Sequence, residues 1–278
     1  MYKILRKKLL NPTVTLMEIE APLVAKKAEP GQFIILRTDE NGERVPLTIA
    51  DFDRERGTVT IIFQIVGATT EVLNHMEEGE CLKDFVGPLG RATDTEGKKK
   101  VAVVGGGVGC AIAYPVVKKL HEQGSEVHAI IGFRSKELVI LEEEFKANST
   151  KMLLMSDDGS CGEKGLVTDA LKKLIDSGVQ YDEVITIGPL IMMKFVSKLT
   201  KEYSIKTIAS MNPIMIDGTG MCGGCRLSVG GKTKFACVDG PEFDAHEIDF
   251  NEAIARSVMY KPFEKKAHEE VCRLYQSL

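Results

Sequence analysis

From Val101 to Tyr203 the chain alternates short apolar runs with amphipathic ones, and that rhythm leaves few folds open. VAVVGGG, EVHAIIGF, KMLLMS and DEVITIG read as strands. CAIAYPVVKKLHEQGS, KELVILEEEFKAN, LVTDALKKLIDSG and PLIMMKFVSKLTKEY read as the helices that follow them. Strands alternating with helices predict a parallel sheet covered by helices, because each helix carries the chain back across the sheet. This α/β domain is expected over residues 98–210.

The flanking segments follow other rules. Residues 1–97 hold β-branched or alternating runs at Thr13–Glu18, Gln32–Arg37 and Gly57–Val66, separated by Pro and Gly turns. Such short strands suit a small β-barrel. TEGKKK, Thr95 to Lys100, reads as a polar linker. Near Met211 the alternation stops. A cysteine-rich module is expected over 211–246, then a charged helical tail over 247–278, broken at Pro262. No internal repeat is visible.

Within the α/β segment, VAVVGGGVGCAIAY puts Gly105, Gly106, Gly107 and Gly109 between a strand and a helix. Glycine lets backbone approach a phosphate, and a helix N-terminus offers N–H groups and positive potential. The standard dinucleotide fingerprint wants a third glycine where Cys110 stands, and an acidic residue about 20 positions on. The second strand ends instead in GFRS, so that fingerprint is not matched. The turn reads as a phosphate site or as a plain tight βα turn. MSDDGSCGEKG, from Met155, and IGPLIM, from Ile187, also follow strands. Three loops at the carboxyl ends of parallel strands favour a ligand edge over three unrelated solvated turns.

Composition narrows the class. A net charge of −4 gives no basic surplus for a nucleic-acid footprint. No apolar run approaches the ~18 residues of a membrane span. The basic start lacks the apolar core and cleavage site of a signal peptide, so a cytoplasmic protein is expected. Seven cysteines in that setting suggest metal or redox use rather than a disulfide frame. Cys81, Cys110 and Cys272 read as small buried apolar side chains, and Cys161 as part of a nucleotide loop. None of the five histidines is assigned to catalysis. The tail reads as a solvated helical face or a partner interface.

MIDGTGMCGGCRLSVGGKTKFACVDGP carries the most specific pattern. Cys222 and Cys225 form C-x-x-C, and Cys237 follows after eleven residues. The plant-type [2Fe–2S] spacing is C-x4-C-x2-C…C, and Asp217 occupies the position of its first cysteine. A carboxylate keeps the anionic charge but is a harder ligand. Asp217, Cys222, Cys225 and Cys237 are therefore the expected cluster ligands. Zinc is the rival, with Asp217 or His246 as fourth ligand. Asp217 as a simple turn residue in I-D-G-T-G is the third reading.

These motifs together resemble the ferredoxin–NADP reductase superfamily, over nearly the whole chain. Arg44-Val45-Pro46-Leu47-Thr48 is similar to the flavin motif R-x-P-[IL]-[ST] of one branch. The resemblance implies Arg44 on the FAD pyrophosphate, Thr48 near the isoalloxazine N5, and Leu47 in the place of the aromatic that stacks on the ring in other branches, with Pro46 also among the flavin-binding residues. The stretch from Val66 resembles the phosphate loop, with Gly67, Thr69 and Thr70 near the pyrophosphate. Gly188, Pro189 and Met192 match the C-G-P-x-x-M motif, with Ile187 in place of its cysteine. A C-terminal iron–sulfur module and the run C-V-D-G-P mark a narrower branch. It holds the dihydroorotate dehydrogenase electron-transfer subunit and the small subunit of NADH-dependent reduced ferredoxin:NADP+ oxidoreductase, and Asp217 favours the second.

The resemblance implies an oxidoreductase relay between NAD(H), FAD and a [2Fe–2S] cluster, needing no general acid or nucleophile. It implies a heterodimer with a larger flavin and iron–sulfur subunit, and ferredoxin as partner through that subunit. Gly105, Gly107 and Gly109 would face the nicotinamide nucleotide. Asp157 and Asp158 would favour NAD(H) by repelling a 2′-phosphate, while Arg134 argues the other way. The alternatives are the dihydroorotate dehydrogenase subunit and a non-catalytic zinc-binding interaction protein.

Overall fold

The computed structural model describes residues 2–276. Its strands are β1 (Tyr2–Asn11), β2 (Val14–Glu20), β3 (Phe33–Arg37), β4 (Val45–Asp53), β5 (Thr58–Gln64), β6 (Cys81–Leu82) and β7 (Asp84–Leu89) in the first part of the chain. β8 (Lys100–Gly106), β9 (Glu126–Phe133), β10 (Lys151–Ser156), β11 (Glu163–Lys164), β12 (Glu183–Ile187) and β13 (Thr207–Ser210) follow. β14 (Arg226–Val229), β15 (Lys232–Phe235) and β16 (Glu242–Asp244) come last. The helices are α1 (Pro22–Ala25), α2 (Ala68–His75), α3 (Gly109–Glu122), α4 (Glu142–Ala147), α5 (Val167–Asp176), α6 (Leu190–Glu202), α7 (Ala236–Asp239), α8 (Phe250–Ser257) and α9 (Lys261–Gln276).

The first sheet is antiparallel in the order β6-β1-β2-β5-β4-β3-β7. Its two ends, β6 and β7, are separated by Lys83 alone, so the sheet curls into a nearly closed barrel. The second sheet runs β11-β10-β9-β8-β12-β13-β16 and is parallel except at β16. That last strand comes from the cysteine-rich stretch and pairs Phe243 with Ala209. β14 and β15 form a separate hairpin.

β3 explains how the pieces lock together. Its residues alternate faces, as strand geometry requires. Ile34 and Leu36 enter the barrel core. Phe33 and Ile35 point the other way, into a cluster with Met215, Cys225, Cys237 and Phe243. A strand buried on both faces must be apolar throughout, which is why it reads FIIL.

Several elements depart from the sequence reading. KELVILEEEFKAN is not one helix: a 3₁₀ turn at Lys136–Leu138 gives way to extended backbone, and α4 begins only after Leu141. Leu141 is left-handed (φ 58°) and Ile140 is buried in the core, so packing overrides the helical pattern. TEGKKK is not a free linker. Lys98 pairs with the buried Glu183, and Asp182 accepts from the backbone of Lys99 and Lys100. The tail breaks at 258–260 rather than at Pro262, which sits in the first turn of α9, where a missing N–H costs nothing. Cys110 is buried, but Cys81 and Cys272 are only partly so. Among the described residues no helix is long and apolar enough to cross a membrane.

Candidate functional site

A cleft of about 1510 Å³ runs between the barrel, the carboxyl edge of the parallel sheet and the cysteine-bearing segment. From the barrel come Phe33, Pro46 and Thr48. Pro46 and Thr48 share a face of β4 and pair with Ile35 and Phe33 across the ladder. From the sheet edge come Gly107, Gly109, Arg134, Asp157 and the loop Gly188–Met192. The motifs expected for flavin and for nicotinamide thus face each other across one space. It exceeds the roughly 300–1,000 Å³ usual for one small ligand.

The glycines divide into two roles. A Cβ on Gly109 would stand 2.6 Å from the Gly188 Cα, and one on Gly106 would stand 2.4 Å from the Met192 sulfur. These glycines let helix and strand touch. Gly107 differs: it is left-handed (φ 55°) and a Cβ there would meet nothing within 4 Å. It is the open glycine at the mouth of α3. Gly105, named with it in the sequence, lies inside the sheet beside Ile131 and Ile187 and does not line the cleft.

Other expected residues also lie elsewhere. Leu47 was expected against the ring; strand alternation turns it to the opposite face, against the barrel core. Asp157 lines the cleft beside Arg134, but Asp158 does not. Asp158 accepts from the Ser160 backbone at 2.9 Å, and the Ser160 hydrogen bonds hold its carboxyl below the usual range. Arg44 and the Val66–Thr70 loop sit outside the cleft. There Gly67 caps α2 with open space above it. Thr70 Oγ1 accepts from the backbone N–H of Val66 and of Gly67, both at 3.0 Å, and donates to the Gly67 carbonyl. The Thr69 hydroxyl donates to Glu43 at 3.1 Å, next to Arg44. Thr70 therefore shapes this loop, and the N-terminus of α2 at Gly67 is left open.

The sequence reading missed one wall. Ser210 and the run Asn212–Ile216 line the cleft from the carboxyl end of β13. TIAS, a short β-branched run after a helix, carried that signal. Its four residues simply lie next to the more conspicuous cysteines.

The cysteine loop packs on the barrel. A Cβ on Gly218 would stand 2.5 Å from the Ile35 Cδ1, one strand away from Pro46. Cys225 and Cys237 are buried, with their sulfurs 3.2 Å apart. Burial and the neighbouring Cys225 push the Cys237 thiol up to about 12. Cys222 is exposed and is held below its ordinary value, first by the Gly224 N–H at 3.4 Å and also by the N–H groups of Asp217 and Ile216. The Asp217 carboxylate accepts on Oδ2 from Thr219 (N–H 2.9 Å, hydroxyl 2.5 Å) and from the Met221 N–H at 3.2 Å. Those bonds, with a smaller contribution from Arg44, lower its pKa. One carboxylate and three thiols, two of them adjacent and buried, make a donor set that could hold a metal centre.

The spread of the donors bears on which centre fits. A single zinc about 2.3 Å from each sulfur needs its ligands within roughly 4 Å of one another. Among the described residues, the only three metal-capable side chains with ligand atoms all within 4.8 Å are Glu71, His268 and Cys272, outside this loop. A two-iron cluster takes its ligands as two separated pairs, and Cys225 with Cys237 makes one such pair. His246 is not at hand for zinc, since its Nε2 lies 3.1 Å from the Thr200 hydroxyl.

Comparison with known proteins agrees with this layout. Residues 212–249 match the iron–sulfur cluster binding domain of dihydroorotate dehydrogenase B. An uncharacterised protein encoded in the adh 3′ region of Clostridium beijerinckii is 53% identical, over 98% of this chain and 94% of that protein. A dihydroorotate dehydrogenase B (NAD(+)) electron transfer subunit homolog of Thermotoga maritima is 46% identical, over 90% of this chain and 88% of the homolog. A chain in the structure of the NADH-dependent reduced ferredoxin-NADP oxidoreductase, described in connection with flavin-based electron bifurcation, superposes over 97% of each chain. Its TM-score is 0.92 and its identity 42%.

Proposed function

Because the chain belongs to the electron-transfer subunit family of dihydroorotate dehydrogenase B, within the ferredoxin–NADP reductase superfamily, we propose that it is the small subunit of an NADH-dependent reduced ferredoxin:NADP+ oxidoreductase of the electron-bifurcating kind. The observation that carries this reading is the match along 97% of both chains to the oxidoreductase of that name. Asp217 in the first ligand position favours it over the dihydroorotate dehydrogenase subunit. The spread of the loop's donors, with only Cys225 and Cys237 adjacent, speaks against a bare zinc-binding scaffold.

FAD held here would supply hydride exchange with the reduced nicotinamide on one side and single-electron exchange with a [2Fe–2S] cluster on the other. The chain supplies distance and electrostatics. Pro46 and Thr48 would hold the flavin on the barrel wall, with Arg44 and the Gly67 end of α2 on its pyrophosphate. Gly107 and the Gly188–Met192 loop would admit the nicotinamide nucleotide opposite. Asp217, Cys222, Cys225 and Cys237 would hold the cluster. Asp157 would meet a ribose hydroxyl and disfavour a 2′-phosphate. The full assembly is a heteromer with a larger subunit that reaches ferredoxin, in a reducing compartment such as the cytoplasm.

Anaerobic mixing of the purified protein with NADH or NADPH tests the nucleotide side. NADH is expected to bleach the flavin faster, by up to about fivefold, since one exposed like-charge contact is worth up to ~1 kcal/mol. A clear NADPH preference would refute the role given to Asp157. FMN as the sole extractable flavin would refute the role given to Arg44 and the Gly67 loop.

A further inference from the structure

The C-terminal helix carries a second donor cluster, away from the cleft and the cysteine loop. Glu71 and His75 stand four residues apart on α2, and His268 and Cys272 stand four apart on α9. Side chains at that spacing share one helix face. The two pairs meet where α2 and α9 pack. His268 Nε2 lies 3.0 Å from Glu71 Oε2, and the ligand atoms of Glu71, His268 and Cys272 all fall within 4.8 Å of one another.

We infer that Glu71, His268 and Cys272 form a surface binding site for a zinc-like divalent cation that pins α9 to α2. The donor set is the first argument. Imidazole, thiolate and carboxylate together suit zinc rather than magnesium or calcium, which favour oxygen alone. Position is the second. All three groups are partly exposed, so side-chain rotation can close the remaining distance, and an ion can enter from solvent. Support of the ligand is the third. His75 Nε2 lies 3.2 Å from the other Glu71 oxygen, and its ring stacks on Tyr275 at 3.7 Å and 11°. A carboxylate fixed in this way is already aimed at the site.

Binding would release the Cys272 thiol proton and use His268 as a neutral donor through Nε2. The site does not depend on the cofactor assignments above.

Calorimetric titration of Zn2+ into the flavin- and iron-loaded full chain tests it. One ion per chain is expected. Cys272→Ala and His268→Ala should each weaken binding about tenfold or more, with flavin and iron content unchanged. Cobalt reports coordination directly: the loaded parent should show a sulfur-to-cobalt charge-transfer band that Cys272→Ser lacks. Cys272→Ser preserves the packing, so loss of the band cannot be blamed on a displaced helix. The inference fails if the parent takes up no zinc, or if both alanine variants bind as the parent does. It also fails if the cobalt band survives in Cys272→Ser and disappears in Cys225→Ala.

Discussion

The sheet edge and the cysteine loop are both built on glycine, for opposite reasons. At the edge, Gly106 and Gly109 are required because another part of the chain already occupies the space a side chain would take. In the loop, Gly220 and Gly223 have φ of 89° and 67°, a handedness that L side chains resist. The edge is fixed by packing whether or not a nucleotide is present. The loop holds its shape through backbone turns and a few hydrogen bonds, and two of its thiols lie side by side in the core. One site is fixed by packing; the other would be completed by the group it holds.

The largest expected effect tests the packed edge. Gly109→Ala sets a methyl against backbone at 2.6–2.7 Å on Gly188 and Ile187, where nothing flexible can yield. Thermal or denaturant unfolding should show a loss near or above the top of the ~1–3 kcal/mol range for overpacking. Gly107→Ala has free space and only the cost of a positive φ, about 1–2 kcal/mol. Equal losses in the two variants would erase the distinction between packed and open glycines.

The loop should respond differently. Asp217→Ala is expected to leave the melting of the rest of the chain nearly unchanged. Iron retention should weaken by at least the roughly 10- to 100-fold that losing a supporting group costs. NADH-to-flavin reduction, which lies upstream, should survive. Asp217→Cys should keep iron with an altered EPR signal. Full iron and an unaltered spectrum in Asp217→Ala would make the residue a turn-former only.

The smallest effect lies at the seam between the two regions. Glu242 on β16 accepts from the Thr93 hydroxyl at 2.6 Å. Burial raises its carboxyl from 4.5 to about 7, with Glu183 and Asp94 adding to the rise and Thr93 and Lys98 opposing it. The folded state therefore binds this proton more tightly than the unfolded chain does. The stability it contributes is complete below about pH 4.5 and is lost as pH rises towards 7. Glu242→Gln cannot ionise and still accepts from Thr93. It should match the parent near pH 4.5 and become the more stable of the two as pH rises through 7 to 8. A constant offset between the two across that range would show that the raised carboxyl plays no part.

The sequence by itself determined the alternating α/β core, the β-rich start and the cysteine spacing. Each is a local pattern with a local cause: a period of two or 3.6 residues, a turn residue, or a fixed count between ligands. β9 and β10 were legible to the residue, because each is a short, mainly apolar run between polar turns. Only the tertiary structure decided which faces those patterns present. It turned Leu47 into the barrel and Pro46 into the cleft, gave Asp157 the cleft and Asp158 its own turn, and split KELVILEEEFKAN at Leu141. It also brought Glu71 to His268 and Cys272, 197 residues away at the histidine. Such choices depend on what lies across a sheet or against a helix, and a one-dimensional pattern holds no record of partners distant along the chain.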